Sequence, residues 1–77
     1  MRNSPINIGE PIRKRRELLG LLQTELAFIS GVSTRTIQLV EMGKSNPSLK
    51  ILNKIIDPLG LRIRLQLKEA DDTASGQ

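Results

Sequence analysis

The sequence contains no cysteine and no histidine, and Phe28 is its one aromatic residue. Without cysteine or histidine there is no disulfide framework, no Cys/His metal site, no thiol nucleophile and no imidazole base, so most enzyme chemistries leave together. No cofactor and no metal are expected. With one aromatic ring, recognition of nucleic acid by base stacking is excluded and the core must be aliphatic. No apolar run approaches the ~20 residues of a membrane span, and Met1-Arg2-Asn3-Ser4-Pro5 lacks the apolar stretch of a signal peptide. The expectation is a soluble, cytoplasmic bacterial protein with no membrane partner, gathered at the nucleoid if it binds DNA.

Acidic residues are also scarce, eight against twelve lysines and arginines, for a formal charge of +4. They are unevenly placed. Glu69, Asp71 and Asp72 crowd the C-terminus, so residues 1–67 hold eleven basic side chains and five acidic ones. A field of that sign favours a polyanionic partner. At 77 residues the chain allows one small domain and no second core.

Four helices can be placed by periodicity and punctuation. After a polar arm, residues 1–7, Asn7 can cap a first helix that carries Ile8, Ile12 and Leu19 at helical spacing and stops at Gly20. Pro11 is tolerated in its first turn. A second helix runs from Gln23 to about Ser30, holds Leu26, Ala27 and Phe28, and stops at Gly31. A third, capped by Ser33 or Thr34, passes through Ile37 and Val40 to Met42 and Gly43. Ser48 caps a fourth, whose stripe is Leu49, Leu52, Ile55, Ile56 and Leu59; Pro58 disfavours helical geometry at Asp57 and blurs its end.

The period then changes from helical to two. Leu61, Ile63, Leu65 and Leu67 alternate with Arg62, Arg64 and Gln66, the pattern of a strand. No second strand pattern exists in the chain, and a lone strand leaves its backbone ladder unpaired. The simplest partner is the same strand of another copy, which makes a two-fold homodimer. The expected organisation is therefore arm 1–7, helical domain 8–60, dimerisation strand 61–68 and a disordered tail 69–77.

The segment Q-T-E-L-A-F-I-S-G-V-S-T-R-T-I-Q-L-V-E, residues 23–41, meets the requirements of a helix-turn-helix. Ala27 is small where two helices cross closely, Gly31 makes the turn, and Val32, Ile37 and Val40 lock the third helix onto the second. With L-L-G-L-L-Q-T-E-L-A, G-V-S-T-R-T-I and E-M-G-K-S-N-P-S-L, the chain resembles the Cro/C1-type (Xre-like) helix-turn-helix family over roughly residues 8–59. The appended L-R-I-R-L-Q-L makes it look most like the HipB-type antitoxins, small autorepressors that pair C-terminal strands and partner a HipA-like serine/threonine kinase toxin. The resemblance implies an all-α, four-to-five-helix, lambda-repressor-like domain with one C-terminal β-strand pairing across a homodimer.

By matching position it also implies roles. The third helix enters the major groove, with Ser33, Thr34, Arg35 and Gln38 over base edges. Arg35 can present two donors to guanine, Gln38 can pair with adenine, and Thr34 can touch a thymine methyl. Ser33 reads equally as a plain helix cap, and Arg35 and Gln38 have a solvated helix face as their alternative. Gln23 resembles the residue whose amide and backbone N–H hold a phosphate, joined by Thr36, Lys44, Ser45 and Asn46. For Ser45 and Asn46 ordinary turn chemistry is the competing reading. Arg16 and Glu41 each fall on the apolar side of a helix, where an unpaired charge would be costly, and the family implies that they pair.

Other features carry less. The run Arg13-Lys14-Arg15-Arg16 fits a nuclear-localisation or membrane-surface patch taken alone, but its first three residues read more simply as a solvated helix face. Glu10 with Glu17, or Asp71 with Asp72, are carboxylate pairs that an enzyme reading could draw on, and nothing holds them in catalytic geometry. Three positions depart from the family pattern. Leu22 replaces a Ser or Thr cap, Leu39 stands where a polar base-facing residue is common, and Pro58 interrupts the fourth helix. The expected function is a sequence-specific repressor that binds an inverted-repeat operator in double-stranded DNA, either as the antitoxin of a toxin–antitoxin operon or as a stand-alone regulator. A protein-binding inhibitor with DNA binding secondary is the third reading.

Overall fold

The computed structural model describes residues 8–67. Asn7, the arm 1–7 and the tail 69–77 lie outside the described residues. Helix α1 spans Gly9–Leu18, α2 Gln23–Ser30, α3 Thr34–Glu41 and α4 Leu49–Ile56, followed by a 3-10 turn at Asp57–Leu59. Ile12 from α1, Leu26 and Ala27 from α2, Ile37 and Val40 from α3, and Leu52, Ile55 and Ile56 from α4 form one buried cluster, closed by Val32 and Leu59. Burying such a side chain contributes roughly 1.5–3 kcal/mol, so about ten of them dominate the stability of a domain this small.

Local chemistry sets the element ends. The Ser33 and Ser48 hydroxyls cap α3 and α4, accepting the Thr36 and Ile51 N–H groups at 3.1 Å each. Leu22 offers α2 no such acceptor. There the Glu25 carboxylate reaches back to accept the Leu22 N–H at 2.8 Å, which also places negative charge at the positive end of the helix. Gly31, at φ +72°, supplies the left-handed residue that turns α2 toward α3.

Several boundary and packing expectations are corrected. α1 begins at Gly9 with Ile8 as an uncapped N-cap residue. Ile8 and Leu19 are 41% and 46% exposed, so Ile12 is the apolar anchor of that helix. Phe28 is 89% exposed, because Leu26 and Ala27 face inward and place position 28 on the opposite side of α2. Leu49 likewise stands outside the α4 stripe. Asp57 does adopt helical geometry, φ −58° and ψ −50°, despite the following proline. The chain tightens into the 3-10 turn, which lets it bury Leu59.

Residues 61–67 form no strand ladder with any other described residue. Leu61 packs against the core and Ile63 is partly covered, whereas Leu65 and Leu67 are 97% and 92% exposed. No other segment among the described residues is a strand. Among the described residues no helix is long and apolar enough to cross a membrane.

Candidate nucleic-acid interface

Helix α3 is amphipathic, with Ile37 and Val40 essentially inaccessible. The opposite side of its first turns presents Arg35 to solvent and leaves Thr34 and Gln38 half-covered. Ser33 is exposed but engaged: beyond capping the Thr36 N–H it donates to Thr36 Oγ1 at 2.9 Å. Its cap role is thus occupied, and the Thr36 hydroxyl keeps its own hydrogen for another acceptor. Leu39, the residue that departs from the family pattern, is half-buried.

The other end of α3 is held by a polar network. Arg16 of α1 and Glu41 form two hydrogen bonds, Nε to Oε2 at 2.6 Å and Nη2 to Oε1 at 3.0 Å. Arg16 Nη1 donates to the Leu21 carbonyl at 2.7 Å, and Gln23 Nε2 donates to Glu41 Oε1 at 3.0 Å. Both charged residues are buried. The hydrogen bonds to Glu41 raise Arg16 above the ordinary arginine range against the opposing effect of burial. Satisfying each buried group this fully is what makes a buried pair tolerable.

Gln23 thus has a partner within the fold. One amide hydrogen is committed to Glu41, so a phosphate at this helix end would meet the second amide hydrogen and the first-turn backbone N–H groups. The bond also brings the start of α2 to the end of α3. The loop that follows α3 starts at the same place, tied back by Gly43 N–H to Val40 O at 3.0 Å and Lys44 N–H to Leu39 O at 2.9 Å. Ser45 and Asn46 line a small crevice with Ile8 and Gly9. The proposed phosphate residues Gln23, Lys44, Ser45 and Asn46 thus gather around the C-terminal end of α3. Ser33, Thr34, Arg35 and Thr36 lie at its N-terminal end, with Gln38 about one turn further on.

Three positioning contacts escaped the sequence reading. A Cβ on Gly9 would lie 2.3 Å from the Val40 carbonyl oxygen and 2.7 Å from that of Glu41, so α1 touches the end of α3 through bare backbone. The available signal was a glycine inside a helix that has no conformational need of one. Arg15, read as solvated, donates from Nε to the Leu59 carbonyl at 2.8 Å and ties α1 to the 3-10 turn. The third is the Gln23–Glu41 bond. Arg13 and Lys14 do face solvent, pairing with Glu17 at 3.3 Å and Glu10 at 3.5 Å.

Similarity to known proteins fits this geometry. The chain is 42% identical over 45 residues to an HTH-type transcriptional regulator of Haemophilus influenzae, and 45% identical over 49 residues to one of Methanothermobacter thermautotrophicus. These matches cover 58% and 64% of the chain; it spans 46% of the length of the Haemophilus relative and 71% of the archaeal one. Among solved structures it is similar to the restriction-modification controller protein C.AhdI from Aeromonas hydrophila, at TM-score 0.69 and 33% identity over 74% of this chain and 86% of that one. It is also similar to the biofilm master regulator SinR in complex with DNA, at TM-score 0.67 and 30% identity over 71% and 89% of the two chains. The helix-turn-helix family model matches residues 12–66. The chain belongs to the helix-turn-helix family of the Cro/C1, Xre-like type.

Proposed function

We propose that the chain is a sequence-specific DNA-binding transcription regulator that works as a two-fold dimer on an inverted repeat. The observation that carries this reading is the division of α3. Its first turn exposes Arg35 beside Thr34, with Gln38 about one turn on, while its far end is fixed by the Arg16–Glu41–Gln23 network and surrounded by the phosphate candidates. A rigid helix with hydrogen-bonding groups at its outer end, flanked by backbone anchors, is what major-groove readout needs. The basic balance of the chain and its likeness to a DNA-bound regulator support the same conclusion. Binding, with no catalytic step, is the whole of the proposed activity.

The dimer rests on residues 61–67. Leu65 and Leu67 stand in solvent in one chain and alternate with Arg64 and Gln66, so an antiparallel copy of the same segment would satisfy the ladder and cover them. Two recognition helices would then meet half-sites about 34 Å apart or a multiple of that. The relatives are described as HTH-type transcriptional regulators, which fits a stand-alone regulator. The antitoxin alternative, with a HipA-like kinase as partner, rests on the resemblance of residues 61–67 alone. A kinase-like protein encoded by the adjoining gene and co-purifying with the chain would select it.

Selection from random duplexes followed by anisotropy titration tests the main reading. A recovered inverted repeat, bound at least ~1,000-fold more tightly than scrambled DNA, is expected. Recovery of no motif, or equal affinity for scrambled DNA, would refute it.

A further inference from the structure

A groove of about 650 Å³ opens where α4, the 3-10 turn and the start of residues 61–67 meet the end of α2. Its lining includes no residue of α3. Ile29, Pro58 and Leu61 give it apolar surface, and three exposed cations, Lys50, Lys54 and Arg62, line it with a single acid, Asp57. Among the described residues none of these cations takes part in an ion pair, whereas Arg13, Lys14 and Arg16 all do. The groove thus carries an uncompensated positive charge away from the recognition helix.

We propose that it receives the acidic segment Glu69-Ala70-Asp71-Asp72 of a second copy of the chain. This rests on the strand pairing argued above and follows from its register. An antiparallel self-pairing puts apolar residues opposite one another only when the two paired numbers sum to an even value. The register that matches all four pairs Leu61 with Leu67 and Ile63 with Leu65. The partner's residue 67 then lies beside Leu61, which itself lines the groove. Glu69 of the partner subunit follows two residues later, about 7 Å further along an extended chain, in the direction of Pro58 and Asp57.

The charges match as well as the positions. Three cations and one acid face a segment in which Glu69, Asp71 and Asp72 outnumber Lys68. The chain's own tail would be worse placed: with residues 62–67 extended in the pair, it would set out roughly 20 Å from Arg62 and have to reverse to reach the groove. The tail of the second copy arrives without a turn. Two symmetric clasps of this kind flank the strand pair and reinforce it.

Unlabelled and nitrogen-15-labelled full-length chains, mixed, allowed to exchange and coupled with a zero-length carbodiimide, test the proposal. Cross-linked peptides joining Lys50 or Lys54 to Glu69, Asp71 or Asp72, with one light and one heavy half, are expected. Cross-links confined to halves of the same label would place the chain's own tail in the groove and overturn the proposal. So would no cross-link at these lysines in a chain that sediments as a dimer, an outcome that leaves strand pairing standing. A chain that sediments as a monomer removes the strand reading and the clasp together. A Glu69→Gln/Asp71→Asn/Asp72→Asn variant should dimerise roughly tenfold more weakly at low salt, the difference closing near 1 M salt. An unchanged dissociation constant at low salt would also overturn it.

Discussion

Replacing Gly9 with alanine sets two physical effects against each other, and the structure decides the sign. Helix propensity favours the change only slightly, since the roughly 0.5–1 kcal/mol penalty of glycine belongs to a helix interior and Gly9 is the first residue of α1. The new Cβ would sit 2.3 Å from the Val40 carbonyl oxygen, where ordinary contact begins at 3.4 Å, so α1 must back away from the end of α3 by about 1 Å. The obstructing atoms are backbone, and no side chain can rotate aside. Overpacking of this kind costs ~1–3 kcal/mol, occasionally more. Retreat of α1 also stretches the Arg16–Glu41 hydrogen bonds, one of which is only 2.6 Å long. The net expectation is a loss of ~1–2 kcal/mol, seen in thermal unfolding by circular dichroism as a drop of roughly 5–15 °C for a domain of this size. An unchanged or raised midpoint would mean that propensity wins and that the close approach of α1 to α3 is wrong.

Glu41→Ala leaves Arg16 buried without its partner and should cost ~3–5 kcal/mol in urea unfolding; a paired Arg16→Met/Glu41→Leu change should recover most of it, and a single-variant loss below ~1 kcal/mol would contradict the buried network. Arg16 is raised in the folded state, so its contribution is full below its unfolded value and fades only as pH rises through the folded one. Both lie above the usable range, and the contribution of Arg16 itself should stay flat from about pH 6 to 10; the check is that Arg16→Met lowers the urea midpoint equally at both ends of that range. Arg35→Ala should weaken binding to the selected site by ~1–3 kcal/mol with no change in melting temperature, and equal weakening on random duplex would reduce Arg35 to a phosphate contact. Leu65→Lys changes a side chain that is 97% exposed in the single chain, so it should leave folding intact while dissociating the dimer; a variant that still sediments as a dimer would sink strand pairing.

The parts of this fold legible in the sequence are those written in local chemistry. Ser33, Gly31 and Ser48 announce their element boundaries because capping and left-handed turns each require particular residue types within three or four positions. The apolar spacing of Leu52, Ile55 and Ile56 gives the buried side of α4 for the same reason. Short helices carry less signal: with eight residues, α2 has no room for a long stripe, and its sequence does not mark which of Leu26, Ala27 and Phe28 faces solvent. Residues 61–67 mark the other limit: their alternation predicts a strand, yet among the described residues they form no ladder.

What the sequence hides is how α1 meets the rest, and the hidden contacts share a purpose. Gly9 lets backbone touch the end of α3, Gln23 ties the start of α2 to Glu41, and Arg15 binds the Leu59 carbonyl. None has a periodic or capping signature, because each joins residues eighteen or more positions apart. Two of the three converge on the C-terminal end of α3, at Val40 and Glu41, away from Thr34 and Arg35 at its start. A helix anchored at one end by backbone contact and by a carboxylate shared between Arg16 and Gln23 has little freedom to roll. Its outer residues are then aimed by groups that need never touch DNA, so substitutions at Gly9 should disturb operator affinity through orientation even where the variant remains folded.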